Sequence, residues 1–368
     1  ANNTAVGSTS LTANTTGADN TALGAYSLDA NTTAGNHVAV GYAALTSNTT
    51  GQRNTAVGAL SSQEITTGDD NVAMGYLSLG ATTTGIENVA IGVEALQANT
   101  TGGSNTAVGM RALEANTTAG NNTAVGVFAM GVNTTGEFNV AVGGNALDAN
   151  TTGDNNVAIG RLSLSANTTG ERNVAVGTSA GLNVTTGVRN VLIGDIAGDA
   201  LTDADYNIAI GMNALGADTL GSRSVAIGYD ALQGQNFTSA TATQNVAIGY
   251  QTLVASTTGT NNTAVGATAL YTSTTGEFNT ALGRQAGYDL TTGGYNTLAG
   301  QDSGRNITTG NRNVCVGDRS GTNITTGSDN IMIGSNNSTS AVGANNSIVM
   351  GFEVTGVGAD NFTFGKSS

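Results

Sequence analysis

Few residues in this sequence could do chemistry, and their number limits it severely. There is one histidine, His37, and one cysteine, Cys315, in 368 residues. Any nucleophile activated by imidazole must use His37 itself, and no serine or cysteine with a carboxylate gathers around it in the sequence. A single cysteine excludes an intrachain disulfide, and the two residues together supply too few nitrogen and sulfur ligands for a zinc site. The carboxylate pairs Asp69 with Asp70 and Asp203 with Asp205 have the residue type a glycosidase needs. A chain with no tryptophan and 4% aromatic residues supplies a catalytic sugar groove poorly. The Gly228 and Gly234 region lacks a helix to receive phosphate, and aspartate is too sporadic for calcium-binding roll repeats. The expectation is a non-enzyme with no catalytic residue, no cofactor and no metal.

Charge narrows the partners. Against 11 Lys+Arg stand 25 Asp+Glu, a net charge of -14, so a nucleic-acid backbone is repelled. No run approaches the roughly 18 apolar residues of a membrane span, so direct membrane insertion is not expected. Ala1 to Gly7 carry neither a basic start nor an apolar run, which places any export signal outside these residues.

What remains is contact chemistry. A column that changes sign and size freely holds Arg53, Phe138, Arg172, Arg189, Tyr206, Arg223, Phe278, Tyr295 and Arg312. Such freedom is compatible only with a solvent-facing position, and exposed Arg, Tyr and Phe are the residue types that carry binding energy. An irregular insertion at 233–244 reads as a protruding loop with Phe237 near its tip, a second candidate for surface binding.

These residues are positioned by a repeat. The segment Asn-Thr/Val-Ala-Val/Ile-Gly ends at Gly7 and recurs every 17 residues to Gly228, then from Gly249 to Gly351, 21 times in all. A unit this short is no helix pair, and its Thr, Val, Ile, Asn and Gly are poor helix formers. It predicts an all-β, parallel β-solenoid (β-roll) of about 21 rungs spanning 1–351, roughly 100 Å long at one strand spacing per rung, with 352–368 as a C-terminal cap or the junction to a further domain. The three residues before each glycine form a strand. Its two flanking columns are Thr, Val or Ile and suit a roll interior; its central column is Ala in 16 of 21 rungs and points the opposite way. Both faces are apolar, so the Ala face calls for another surface: the same column of further copies around an axis. That predicts a homo-oligomer packed on Ala39, Ala90, Ala141, Ala175, Ala226 and Cys315; the alternative is a roll flat enough to enclose both faces.

Two other columns covary. Four positions after the glycine stands Leu or Met130, with a polar residue three further on. Where the first is Ser62, Gly181, Gly198, Gly287, Gly304 or Gly321, the second becomes Ile65, Val184, Leu201, Leu290, Ile307 or Ile324. One core volume filled from either side of a turn accounts for this. The residue before each strand is Asn in 18 of 21 rungs, with His37, Ser224 and Ser347 the exceptions, and stacked copies predict an asparagine ladder. The Asn-Thr-Thr triplets at Asn14, Asn31, Asn48, Asn99, Asn116, Asn133, Asn150 and Asn167 read as glycosylation sequons or simply as the corner of the repeat. Adjacent threonines point to opposite faces, which leaves one outward threonine file.

The box Asn88 to Gly92, repeated at Asn156 to Gly160 and Asn245 to Gly249, resembles the Ser/Asn-Val-Ala-Ile-Gly repeat of trimeric autotransporter adhesin heads, the YadA-like head. The longer unit, Asn105 to Gly109 followed by Ala112-Leu113 and Asn133 to Gly136, is similar to repeats of phage-tail-fibre-like proteins. The resemblance implies a left-handed, homotrimeric roll in an extracellular fibre, on a cell surface or a virion tail. Its implied partners are its own copies and a host cell-surface receptor or glycan. A self-assembling extracellular filament and an ice-binding solenoid are the alternative readings.

Overall fold

A computed structural model describes residues 2–365. The fold is all-β with no helix among these residues, a parallel β-solenoid of about 21 turns with a repeat of about 17 residues. The chain forms two compact units, one ending at Thr186 and one beginning at Gly187.

In the first unit, three-residue strands run from Thr4–Val6 to Val174–Val176, and each of those up to Val157–Ile159 pairs in parallel with the strand one repeat later. The register brings like columns together, so Ala22 lies opposite Ala39 and Leu23 opposite Val40. After each strand the backbone turns at a glycine with φ near +138°, and here side chains are excluded twice over. At Gly160, φ is +133° and a Cβ would lie 2.3 Å from the carbonyl oxygen of Gly177 in the next coil.

The coil closes through left-handed residues that are not glycine. Ala43, Leu45 and Arg53 have φ of 53°, 53° and 56°, and the same three columns repeat this along the chain. Left-handed backbone is especially costly for β-branched side chains. The solvent-facing column of Arg53, which holds either charge, Phe and Tyr, contains no Val, Ile or Thr, whereas the column of Ala43 accepts Thr9, Ile196 and Thr268 at φ of 55°, 49° and 54°.

The structure reverses the expected assignment of strand faces. From Ala22 onward the central Ala column lies inside the coil, fully buried, and the flanking Thr, Val and Ile columns lie outside, half-buried or exposed. Ala39, Ala90, Ala141, Ala175, Ala226 and Cys315 are therefore not trimer-axis residues: each is enclosed by its own chain. The reason is volume. The strand faces the turn of the same coil, where Ala44 and Leu45 are fully buried against Ala39 and Ala56. A space already holding leucine has room for a methyl group but not for the branched side chains on either side of it. The outer face is not enclosed either, so the flat-roll alternative also fails.

Two asparagine ladders, not one, run through the interior. In the expected ladder the Asn71 backbone N–H donates to Asn54 Oδ1 at 2.9 Å, and the Asn71 amide to the Gly85 carbonyl at 2.9 Å. In the second, formed by the Asn-Thr-Thr asparagines, the Asn116 amide donates to Asn99 Oδ1 at 2.9 Å and to the Ala119 carbonyl at 3.0 Å. Buried amides persist only when partnered in this way. Seven of the eight sequon asparagines, all but the half-buried Asn14, are fully buried, which removes them as glycosylation acceptors in the folded chain.

The second unit continues the pattern from Val191–Ile193 to Ile348–Met350 and ends with Phe362–Phe364 paired to Ile348–Met350. Residues 366–368 of the expected cap lie outside the described residues. Here the core is redistributed: Leu192, Leu298, Cys315, Met332 and Val349 replace the central Ala, all fully buried. Opposite Leu298 stands Gly304, where a Cβ would lie 2.5 Å from the leucine Cδ2 and 3.0 Å from Ile307 Cδ1. The covarying columns thus share one volume with the strand centre.

Candidate functional surfaces

The chemistry-bearing residues of the interior are sealed. Cys315 is fully buried, and desolvation pushes its thiol up to about 12, well away from nucleophilic thiolate. His37 occupies an Asn position in the first ladder: its Nδ1 accepts the Asn54 backbone N–H at 3.2 Å, and its Nε2 lies 3.2 Å from the Asn48 amide nitrogen. Burial holds its pKa below the ordinary value.

The variable column is exposed and forms pairs of neighbouring coils rather than one patch. Arg53 grips Asp70 with two bonds, at 2.5 and 2.7 Å, and Arg312 grips Asp329 at 2.6 and 2.9 Å. Each arginine holds its carboxylate partner's pKa below the usual range. Arg189 stacks 5.3 Å from the Tyr206 ring centroid and donates to its hydroxyl. Phe278 and Tyr295 stack at 4.9 Å with their planes 11° apart. Phe138 and Arg172 are exposed, with no such partner ring among the described residues. Arg223 and Tyr206 line a shallow cleft of about 200 Å³ with Asp205 and Thr241.

Phe237 is not at a protruding tip. It is 7% exposed, because the insertion folds back onto the preceding coil. Its N–H donates to Asp218 Oδ1 at 3.1 Å and its carbonyl accepts from Thr219 Oγ1 at 2.9 Å. Asp218 and Gln235 stand in the second ladder's column, joined to each other at 2.6 Å and, through Gln235, to the Asn245 amide at 2.8 Å. Gly221–Ser222 then pairs with Thr241–Ala242 in a separate two-stranded parallel sheet. The exposed apex is Thr238, Ser239 and Ala240.

Two surfaces escape a reading of single columns. The first is the outer face of the strands. The column just before each glycine is apolar in every coil, from Val6 through Ile91 and Ile159 to Met350, and neither flanking column contains a charge. Ile91 and Ile159 are 38% and 40% exposed, and Tyr42, Tyr76, Met110, Tyr229 and Tyr250 add exposed apolar surface just beyond the glycines. The second is a cleft in the second unit where Arg284, Arg305 and Arg319 meet around Asp302. They come from three separate columns, none of which stands out in the sequence.

Within a unit the first hydroxyl of a Thr-Thr pair bonds the next coil, as Thr49 Oγ1 does to the Thr66 carbonyl at 3.0 Å, while the second, Thr50, is exposed. One outward threonine file results. No protein-family model matches the chain, and no curated protein matches it.

Proposed function

We propose that this chain is a non-enzymatic extracellular fibre protein whose coils associate side by side with further copies, as a homotrimer, and mediate adhesion or receptor binding on a bacterial surface or a virion tail. The observation that carries the reading is the uncharged apolar outer strand face. A contiguous exposed apolar surface of this kind is a contact surface in soluble proteins. Its pattern repeats once per coil, and a partner matching it over many coils needs the same repeat, which a second copy has by construction. The association uses the outer columns, not the Ala column. The likeness of the Asn-Val-Ala-Ile-Gly box to adhesin heads and tail-fibre repeats supports the trimer, its left-handed sense and the extracellular role. Sedimentation equilibrium tests it: a mass three times the 36.3 kDa chain is expected. Ile91→Lys with Ile159→Lys should reduce that mass to one chain without loss of β structure. A monomeric native chain sinks the reading.

A further inference from the structure

We propose that the cleft around Asp302 binds an acidic sugar, a carboxylated or sulfated glycan unit. This deepens the adhesive reading and rests on it for its biological sense. Elsewhere the ion-paired arginines are matched or outnumbered by carboxylates: Arg53 lies 2.5 Å from Asp70 and 3.7 Å from Asp69, Arg111 2.6 Å from Glu94 and 3.8 Å from Glu114, and Arg312 2.6 Å from Asp329. Here three guanidinium-bearing side chains line one cleft with a single carboxylate. Arg284 Nη2 lies 3.5 Å from Asp302 Oδ2 and Arg305 Nη1 3.8 Å from Oδ1, while the Arg319 side chain has no ion-pair or hydrogen-bond partner among the described residues. Asp289 and Asp318, the nearby carboxylates in sequence, do not line the cleft. A site with a surplus of two positive charges, in a chain of net charge -14, selects a localized anion. The exposed guanidinium groups suit the planar or bidentate geometry of carboxylate and sulfate.

A bare anion is an incomplete fit, and Asp302 shows why. The residue is 7% exposed, and its Oδ1 is buried without a hydrogen-bond donor, since Arg305 at 3.8 Å is beyond bonding distance. The residue nonetheless lines the cleft, and its other oxygen, Oδ2, is held among the described residues only by long bonds from Arg284 Nη2 at 3.5 Å and Gln301 Nε2 at 3.3 Å; a carboxylate edge of this kind in a cationic cleft repels an anion but accepts a hydroxyl. The ligand that satisfies both carries an acidic group and a hydroxyl donor on one small frame. An apolar flank completes the site. Arg305 lies 5.5 Å over the Tyr288 ring, which stacks on Tyr271 at 5.0 Å with planes 2° apart, so the cleft of about 460 Å³ adjoins a ribbon of aromatic edges suited to the C–H face of a sugar.

The test is calorimetric titration of the full chain, at low salt, with a heparin-derived hexasaccharide and with an oligogalacturonate, using a neutral dextran oligosaccharide and inorganic sulfate for comparison. An acidic oligosaccharide should bind and the neutral one should not. Arg319→Gln and Arg305→Gln, both at exposed positions, should each weaken binding about tenfold or more, whereas Arg111→Gln should leave it unchanged. The proposal is overturned if neither acidic oligosaccharide binds, if Arg319→Gln and Arg305→Gln bind as the parent does, or if sulfate alone binds as tightly as the oligosaccharides. The sedimentation mass is unaffected by any of these results, so failure of the cleft and failure of the fibre reading are distinguishable.

Discussion

The two units solve the same packing problem differently. In the first, nearly every coil uses Ala at the strand centre, Leu or Met at the turn and Asn at the second ladder; Ser62 with Ile65, Gly181 with Val184, and Thr82 in the ladder depart. In the second, the strand centre grows to Leu192, Leu298 or Cys315 in coils where the turn shrinks to Gly198, Gly304 or Gly321 and the ladder position becomes Leu201, Ile307 or Ile324, while Gly287 with Leu290 keeps Ala281 at the centre. What is held constant is a volume and not a residue pattern. The second unit also carries the insertion and the three-arginine cleft, so departures from the uniform coil coincide with the places where the surface becomes specific.

If that volume is common to both units, a thiol at the strand centre is as inaccessible as the alanines it replaces. Native Cys315 should react with a thiol reagent several orders of magnitude more slowly than the unfolded chain, at a rate set by local opening. Fast labelling of the native protein would place the column outside the coil and break the comparison at its root.

Transplanting one unit's solution into the other gives the next largest effect. Leu147→Ser in the first unit removes a fully buried leucine and should cost about 2–5 kcal/mol. Asn150→Ile alone should cost about 1–3 kcal/mol through overpacking. Together they reproduce the Ser62 and Ile65 arrangement, and the double variant should be more stable than Leu147→Ser. Denaturant midpoints, with amide exchange at Val140–Val142 to localise the effect, read this directly. Additive losses would mean the two positions do not share a volume.

A smaller loss is expected at the reciprocal site. Gly304→Ala places a methyl group 2.5 Å from Leu298 Cδ2 at φ +54° and should destabilise by about 1–3 kcal/mol. Leu298→Ala in the same chain should recover part of that loss, since it restores the small strand centre of the first unit. If the double variant shows no recovery, backbone conformation alone accounts for the glycine.

The repeat, the short parallel strands, the first ladder and the shared volume were all legible in the sequence, because repetition exhibits each position many times. The inside of the strand was not. Val-Ala-Val is apolar on both faces, and bulk argued for the wrong one. The correcting signal was present: Leu192 with Gly198 and Leu298 with Gly304 show the strand centre trading size with the turn, which requires that they face each other. Asp218 and Gln235 likewise marked a polar anchor that pulls Phe237 inward. The arginine cleft left no such trace, since its residues belong to variable columns that meet only when the coils stack.

The smallest effect isolates the only break in the first unit's leading ladder. In the coils that follow, an amide oxygen accepts the next backbone N–H, as Asn54 Oδ1 does from Asn71, and it does so at any pH. His37 does the same with Nδ1, which is lost as an acceptor once protonated. Burial lowers its folded pKa below 6.5, so below that pH the unfolded chain binds the proton more readily than the folded one. Stability contributed by neutral His37 is therefore complete above about pH 6.5 and falls as pH drops toward the folded value, by no more than about 1.4 kcal/mol per pH unit. His37→Asn should leave stability near pH 8 little changed and flatten its decline between pH 6.5 and 5, measured as the difference in denaturant midpoint between variant and parent. An undiminished decline would assign the acid sensitivity to the carboxylates, and His37 would then be a neutral substitute in the ladder with no proton linkage of its own.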